Sequence, residues 1–180
     1  MSARTTMAWL ITHVRNMIGD PGSEIWSDDE DIESFLDAYV EHISRVALKC
    51  DPDKRNYVSP YSWLEGSTSS WSGSGSVSDV INIWGSSSSN ATAYTPDSFN
   101  LKNGIFTFDE DQDKDLWLQC RTYNVNMSAG MLMLAVGANP ERAKKWSRGG
   151  IKHEISDPLK LAKLYFSMSG ITSVPTYRGY

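Results

Sequence analysis

The residue pattern predicts an α+β fold: a mainly α-helical bundle core, an inserted small antiparallel β subdomain and an extended C-terminal tail. Three observations predict it. Helical apolar periodicity runs from Met7 to Ala47 and returns after Tyr123. Between Asn56 and Phe108 the composition shifts to Ser, Gly, Thr, Asn and aromatics, with short apolar runs at strand length. After Gly170 the chain holds Pro175 and Gly179 and few apolar residues. The expected divisions are 1-55 for the N-terminal helices of the core, 56-122 for the β-rich insertion, 123-170 for the C-terminal helices and 171-180 for the tail.

Met7, Leu10, Ile11, Val14, Met17 and Ile18 make one apolar stripe, so the first helix is expected here. Gly19-Asp20-Pro21-Gly22 ends it, because Gly accepts the left-handed C-cap and Pro cannot continue the helix. Ser27-Asp28-Asp29-Glu30 reads as a capping box opening a second helix. Its apolar face is Ile32, Phe35, Leu36, Tyr39, Val40, Ile43, Val46 and Ala47, and Asp51-Pro52-Asp53 stops it.

Ser67 to Ser76 and Ser86 to Asn90 read as polar loops, with Val77, Val80, Ile81, Ile83 and Trp84 strand-like between them. Asn103-Gly104 is the expected turn of a hairpin over Asn100 to Phe108, and Leu116 to Cys120 is one more strand. Val125, Ala129, Leu132, Met133 and Val136 share a helix face, while Met131, Leu134 and Ala135 fill the other sides. A helix apolar nearly all round is expected to be buried. Gly137 is its expected C-cap. Asn139 to Arg142 reads as a turn or short helix start, and Trp146 to Ile155 as an irregular link. Ser156 or Asp157 caps the last helix, with Pro158 in its first turn and Leu161, Leu164, Tyr165 and Met168 on its face.

Composition excludes several classes. Hydrophobic residues make up 40% and charged residues 22%, which is ordinary for a globular domain. A net charge of -5 argues against electrostatic gripping of nucleic acid, and leaves room for DNA that slides past. The longest apolar run, Met131 to Val136, is too short to span a bilayer. Met1 to Thr6 lacks the apolar segment of a secretory leader, and two cysteines make a disulfide framework unexpected, so folding in a reducing cytoplasm is expected.

No catalytic constellation emerges. His13, His42 and His153 lie on separate elements without metal-ligand spacing. Asp109, Asp111, Asp113 and Asp115 alternate as in a calcium loop, but Lys114 stands where the loop requires Gly and Cys120 where it requires Glu. A solvated acidic turn is the expected outcome, with a weak cation site over Asp109 to Asp115 as the alternative. Gly73-Ser74-Gly75-Ser76 lacks the Lys-Ser/Thr of a phosphate loop. Neither an enzymatic role, a cofactor nor a metal is expected. The aromatic residues are the more telling signal. Trp63, Trp71, Trp84 and Tyr94 cluster in the β segment, where some pack its core and others suit protein contacts. A carbohydrate- or ligand-binding module using this Trp-rich β segment is the alternative reading. Pro175, Tyr177, Arg178 and Tyr180 equip a tail that is costly to order alone for ordering on a partner.

The order of elements carries a resemblance. Trp26-Ser27-Asp28-Asp29-Glu30 opens a helix. A β-rich insertion closes with Gly104-Ile105-Phe106-Thr107-Phe108. Arg121-Thr122-Tyr123-Asn124-Val125 leads into the small-residue helix Met127 to Val136, and Trp146-Ser147-Arg148-Gly149-Gly150 precedes a final amphipathic helix. From about Glu24 to Ser169 this resembles the head–tail connector family of tailed bacteriophages, the neck adaptor or head-completion proteins; Asn124 stands where the family more often has Asp, and the insertion is large. The resemblance implies a virion protein at the head–tail neck, assembled in the host cytoplasm and away from membranes. It implies a ring of identical subunits, commonly twelve, below the portal protein. That ring would extend the DNA channel, let genomic DNA pass without sequence recognition, and dock the tail or stopper. By the same resemblance the tail, with Pro175, Tyr177, Arg178 and Tyr180, reaches the portal or a neighbouring subunit. Trp63, Trp71 and Trp84 become tail-side or inter-subunit contacts.

Overall fold

The computed structural model describes residues 3–66, 81–87, 92–112, 114–148 and 157–169. Trp71, the strand-like Val77 and Val80, Asp113, the link from Gly149 to Ser156, the helix-ending Gly170 and the whole tail with Pro175, Tyr177, Arg178 and Tyr180 lie outside them. The described residues divide into two compact units. One is built from Trp9–Tyr39 with the segments after Asn124, the other from Arg4–Ala8 with Val40–Tyr123.

The helical unit contains α1 (Ala8–Ile18, its first residue aside), α2 (Asp29–Asp37), α3 (Val125–Ala138), α4 (Pro140–Arg148) and α5 (Pro158–Met168). Helix α1 stops where expected, with Gly19 at φ 75°. Its loop to α2 is held by a buried network. Arg15 donates to Asp20 at 3.0 Å, to the Trp26 carbonyl at 2.8 Å and to Asp29 at 2.7 Å. Asp20 in turn accepts from the backbone of Ile25 and Trp26. Asn124 caps α3 by accepting from the Met127 N–H at 3.0 Å, and Asp157 caps α5 by accepting from Leu159. Small residues let the helices close on one another. The Ser128 hydroxyl donates to the Phe35 carbonyl, and a Cβ on Gly130 would stand 2.6 Å from the Phe166 ring.

The β unit holds two four-stranded antiparallel sheets. The first runs β1 (Val40–Ala47), β8 (Trp117–Tyr123), β4 (Ile81–Trp84), β5 (Ala93–Tyr94). The second runs β2 (Lys49–Cys50), β3 (Asn56–Val58), β7 (Ile105–Thr107), β6 (Ser98–Asn100). Strands β6 and β7 form the expected hairpin, and Gly104 takes φ 64° in its turn. No side chain fits there, since a Cβ would fall 2.2 Å from the Tyr61 carbonyl oxygen.

A mainly helical bundle core is therefore overturned. The protein is α+β with five helices and two antiparallel sheets among its described residues. The largest error lies at Val40–Ala47, which is strand and not the second half of a helix. A bulge explains the misleading spacing. Ile43 pairs with Cys120 and Val46 with Leu118, so positions three apart on β1 face positions two apart on β8. An extra residue in a strand thus imitates a helical interval, and β-branched Val40, Ile43 and Val46 favour the sheet. Three smaller corrections follow. Asp28, not Ser27, precedes α2, and no side chain caps it. Helix α3 runs through Gly137 to an Asn139 cap. Trp146 to Arg148 continues α4, anchored by the Trp146 indole N–H donating to the Ile18 carbonyl.

Candidate functional site

An apolar opening lies on the helical unit. Helix α2 places Phe35 on one wall, α3 forms the floor with Met131, Leu134 and Ala135, and Leu159 of α5 closes the far side. The groove encloses about 620 Å³, with Asn139 and Arg142 at its edge. Its origin is the sequence of α3. Val125, Ala129, Leu132, Met133 and Val136 are buried against the neighbouring helices, while Met131, Leu134 and Ala135 are only half-buried. The expectation that all sides of this helix are covered fails on that one side: the described part of the helical unit supplies too few partners to surround a helix apolar all round. Polar chemistry is sparse here. Arg142 lies 3.9 Å over the Trp26 ring and reaches Asp31 at 4.0 Å. Such a surface is suited to contacts made by exclusion of water and by shape.

A second cluster lies inside the β unit. Glu65 is fully buried and receives hydrogen bonds from the hydroxyls of Thr6 at 2.6 Å and Tyr123. Arg4 and Arg121 lie 3.5 and 3.4 Å from its carboxylate. One carboxylate oxygen thus accepts from Thr6 and the other from Tyr123 and Arg121, and the Arg4 guanidinium adds a compensating charge, which is what a buried charge requires. The cluster ties Arg4 and Thr6 to residues over a hundred positions away in Tyr123 and Arg121, and it reads as a structural node. No motif pointed to Glu65. It stands between a short isolated bridge and a Gly/Ser-rich stretch, and its partners come from two segments far apart in the chain.

Of the tryptophans singled out from sequence, Trp63 and Trp84 are described, and each has a cation beside its ring. Trp84 is 8% exposed, and the Arg45 guanidinium sits 4.2 Å over its ring. Trp63 is half-buried at φ 58°, with its N–H donating to Lys102 and its carbonyl accepting from Tyr123. The Lys102 ammonium lies 5.3 Å from that ring. Sugar stacking needs a bare ring face, and at Trp84 a cation already occupies one. Around Asp109 and Glu110, with Asp97 opposite, the walls of a shallow opening are acidic, and Asp97 accepts from the Asp109 N–H at 2.7 Å. Lys114 donates to the hydroxyl of Tyr94, which lines the same opening. Among the described residues no group of three or more His, Cys, Asp or Glu is placed to hold a metal ion. Likewise no described helix is long and apolar enough to cross a membrane. Burial pushes the Cys120 thiol up to about 12, with the charge of Glu41 adding to the effect, so this thiol stays protonated.

No protein-family model, no curated protein and no solved structure matches the chain.

Proposed function

We propose that the chain is a non-enzymatic structural protein of a tailed-phage virion, the adaptor of the head–tail neck. It forms a ring of identical subunits below the portal protein, extends the DNA channel and docks the tail or stopper. The observation that carries the assembly part of this reading is the open apolar groove on the helical unit, built from Phe35, Met131, Leu134 and Leu159. Apolar surface left open beside satisfied polar networks marks a place where another protein sits. The order of elements supports the connector part: the acidic-start helix α2, the β unit, the Tyr123-Asn124-Val125 entry with Asn124 capping α3, then α4 and α5. A net charge of -5 suits a channel wall that holds phosphate loosely. Pro175, Tyr177, Arg178 and Tyr180 remain the proposed contacts with the portal or the next subunit, and Trp63, Trp71 and Trp84 those on the tail side.

The test is reconstitution. The full chain is mixed with the portal rings of the same phage and followed by sedimentation velocity and electron microscopy. Co-sedimentation in a fixed ratio, with new ring density on the tail-facing end of the portal, is expected. Portal rings that sediment unchanged and carry no added density overturn the reading.

A further inference from the structure

The floor of the groove is one face of α3. Met131, Leu134, Ala135 and Ala138 line it at the i, i+3, i+4, i+7 spacing of a single helical stripe, about 10 Å or two turns long. Ala135 and Ala138 end in a methyl group, which keeps the floor low between Phe35 on one wall and the exposed Leu159 on the other. An extended segment laid here would find few partners for its own N–H and C=O groups. All the liners but Asn139 are helical residues, whose backbone bonds run within their helices. The Asn139 side-chain oxygen already accepts from the N–H groups of Glu141 and Arg142. A segment that satisfies its own backbone, a helix, is the occupant such a lining admits at least cost.

Charge narrows the choice further. Arg142 is the one charged residue among the liners. Its guanidinium lies 3.9 Å over the Trp26 ring, and its side chain is 34% exposed. With the described residues that guanidinium makes no hydrogen bond, and its ion-pair partner Asp31 stands outside the lining at 4.0 Å. A guanidinium carries five N–H donors, so there is room for an acceptor from outside. Lys144 and Lys145, both exposed, follow on the same helix and carry the same sign. We infer that the groove receives two turns of an amphipathic helix from a different protein. Apolar side chains of that helix cover Met131 and Leu134, and an Asp or Glu beside them meets Arg142. The inference rests on the reading that another protein sits in this groove, and adds the chemistry of what sits there.

The probes are three alanine-based peptides of about 16 residues, a length at which such a helix forms. Each carries leucines at i, i+3, i+4 and i+7, with glutamate, glutamine or lysine one turn beyond either end of that stripe. Binding to the full chain is followed by fluorescence anisotropy of the labelled peptide. The glutamate peptide should bind most tightly, the glutamine peptide about tenfold more weakly, and the lysine peptide more weakly still. That order is diagnostic, because the chain carries a net charge of -5 and long-range attraction alone favours lysine. Arg142→Glu should reverse the order of the glutamate and lysine peptides, and Leu134→Gln should weaken all three, with the circular dichroism of both variants unchanged. Equal affinity for the three peptides, an order untouched by Arg142→Glu, or no binding of any overturns the inference. So do the other occupants: a peptide of residues 171–180 that displaces the glutamate peptide makes the chain's own tail the occupant, and self-association lost in Leu134→Gln makes it a second copy. Peptides that bind in the expected order while portal rings stay bare remove the connector reading alone. Portal rings decorated by a chain indifferent to the peptides remove this inference alone.

Discussion

In the β unit three aromatic rings each have a cation beside them: Arg45 at Trp84, Lys102 at Trp63 and Lys114 at Tyr94, at 4.2, 5.3 and 5.5 Å. Among the described residues of the helical unit one ring, Trp26, is treated in that way, while Met131, Leu134, Leu159, Leu164 and Met168 stay partly open to solvent. The units also differ inside. The β unit holds a buried carboxylate, Glu65, that accepts from Thr6, Tyr123 and Arg121. The helical unit keeps its buried ion pair in a loop, at Arg15 and Asp20, and fills its centre with Ile32, Leu36, Leu132, Met133 and Phe166. Counting aromatic residues therefore points to a different unit from the one that carries the open apolar groove. A tryptophan is quiet when a guanidinium lies on it, whereas aliphatic residues on a helix with too few neighbours leave the open face.

The largest effect should come from excision. Replacing residues 68–90 by a short linker removes β4, the strand between β8 and β5, and with it the register Ile83 to Leu118. The near-ultraviolet circular dichroism of the β unit should be lost; a variant that keeps it would mean that β4 is dispensable. Glu65→Ala comes next. It leaves two arginines and a tyrosine facing an empty site and should cost about 3–5 kcal/mol in urea unfolding. Glu65→Gln keeps two acceptor positions and should cost less. In the helical unit the expected pair is Leu36→Ala, at roughly 2–5 kcal/mol for a fully buried side chain, and Phe35→Ala, at about 1–2 kcal/mol because that ring is half open to the groove. Equal losses at the two positions would show that Phe35 is core and the groove closed.

Smaller effects separate the two cysteines. Exposed Cys50 should react with iodoacetamide at pH 8, and buried Cys120 only after denaturation, by mass spectrometry. The linkage has a definite sign. The folded thiol of Cys120 holds its proton up to about 12, whereas the ordinary value is 9.0. Between those values the unfolded chain binds fewer protons, so the protein loses stability as pH rises from 9.0 towards 12 and is unaffected by this group below. The smallest effect is Ser27→Ala. No side-chain cap is made at the start of α2, so the change should stay within about 0.5 kcal/mol. A loss above 1 kcal/mol, of the size a working N-cap supplies, would restore the capping box.

Local pattern was enough for α1, α3 and α5, for the Gly19 stop, for the Asp157 cap and for the Asn103-Gly104 hairpin, because each depends on neighbours within a few residues. It failed at Val40–Ala47, where the partners on β8, from Tyr123 for Val40 to Trp117 for Ala47, lie far along the chain and a bulge disguised the strand. It was silent on Glu65, whose donors come from both ends of a long stretch of chain, and on the groove, which exists because α3 has neighbours on all but one side. Periodicity records which residues avoid water. Which of them find a partner within their own chain is a property of non-local packing: an apolar side chain looks the same in the sequence whether a neighbouring helix covers it or leaves it open.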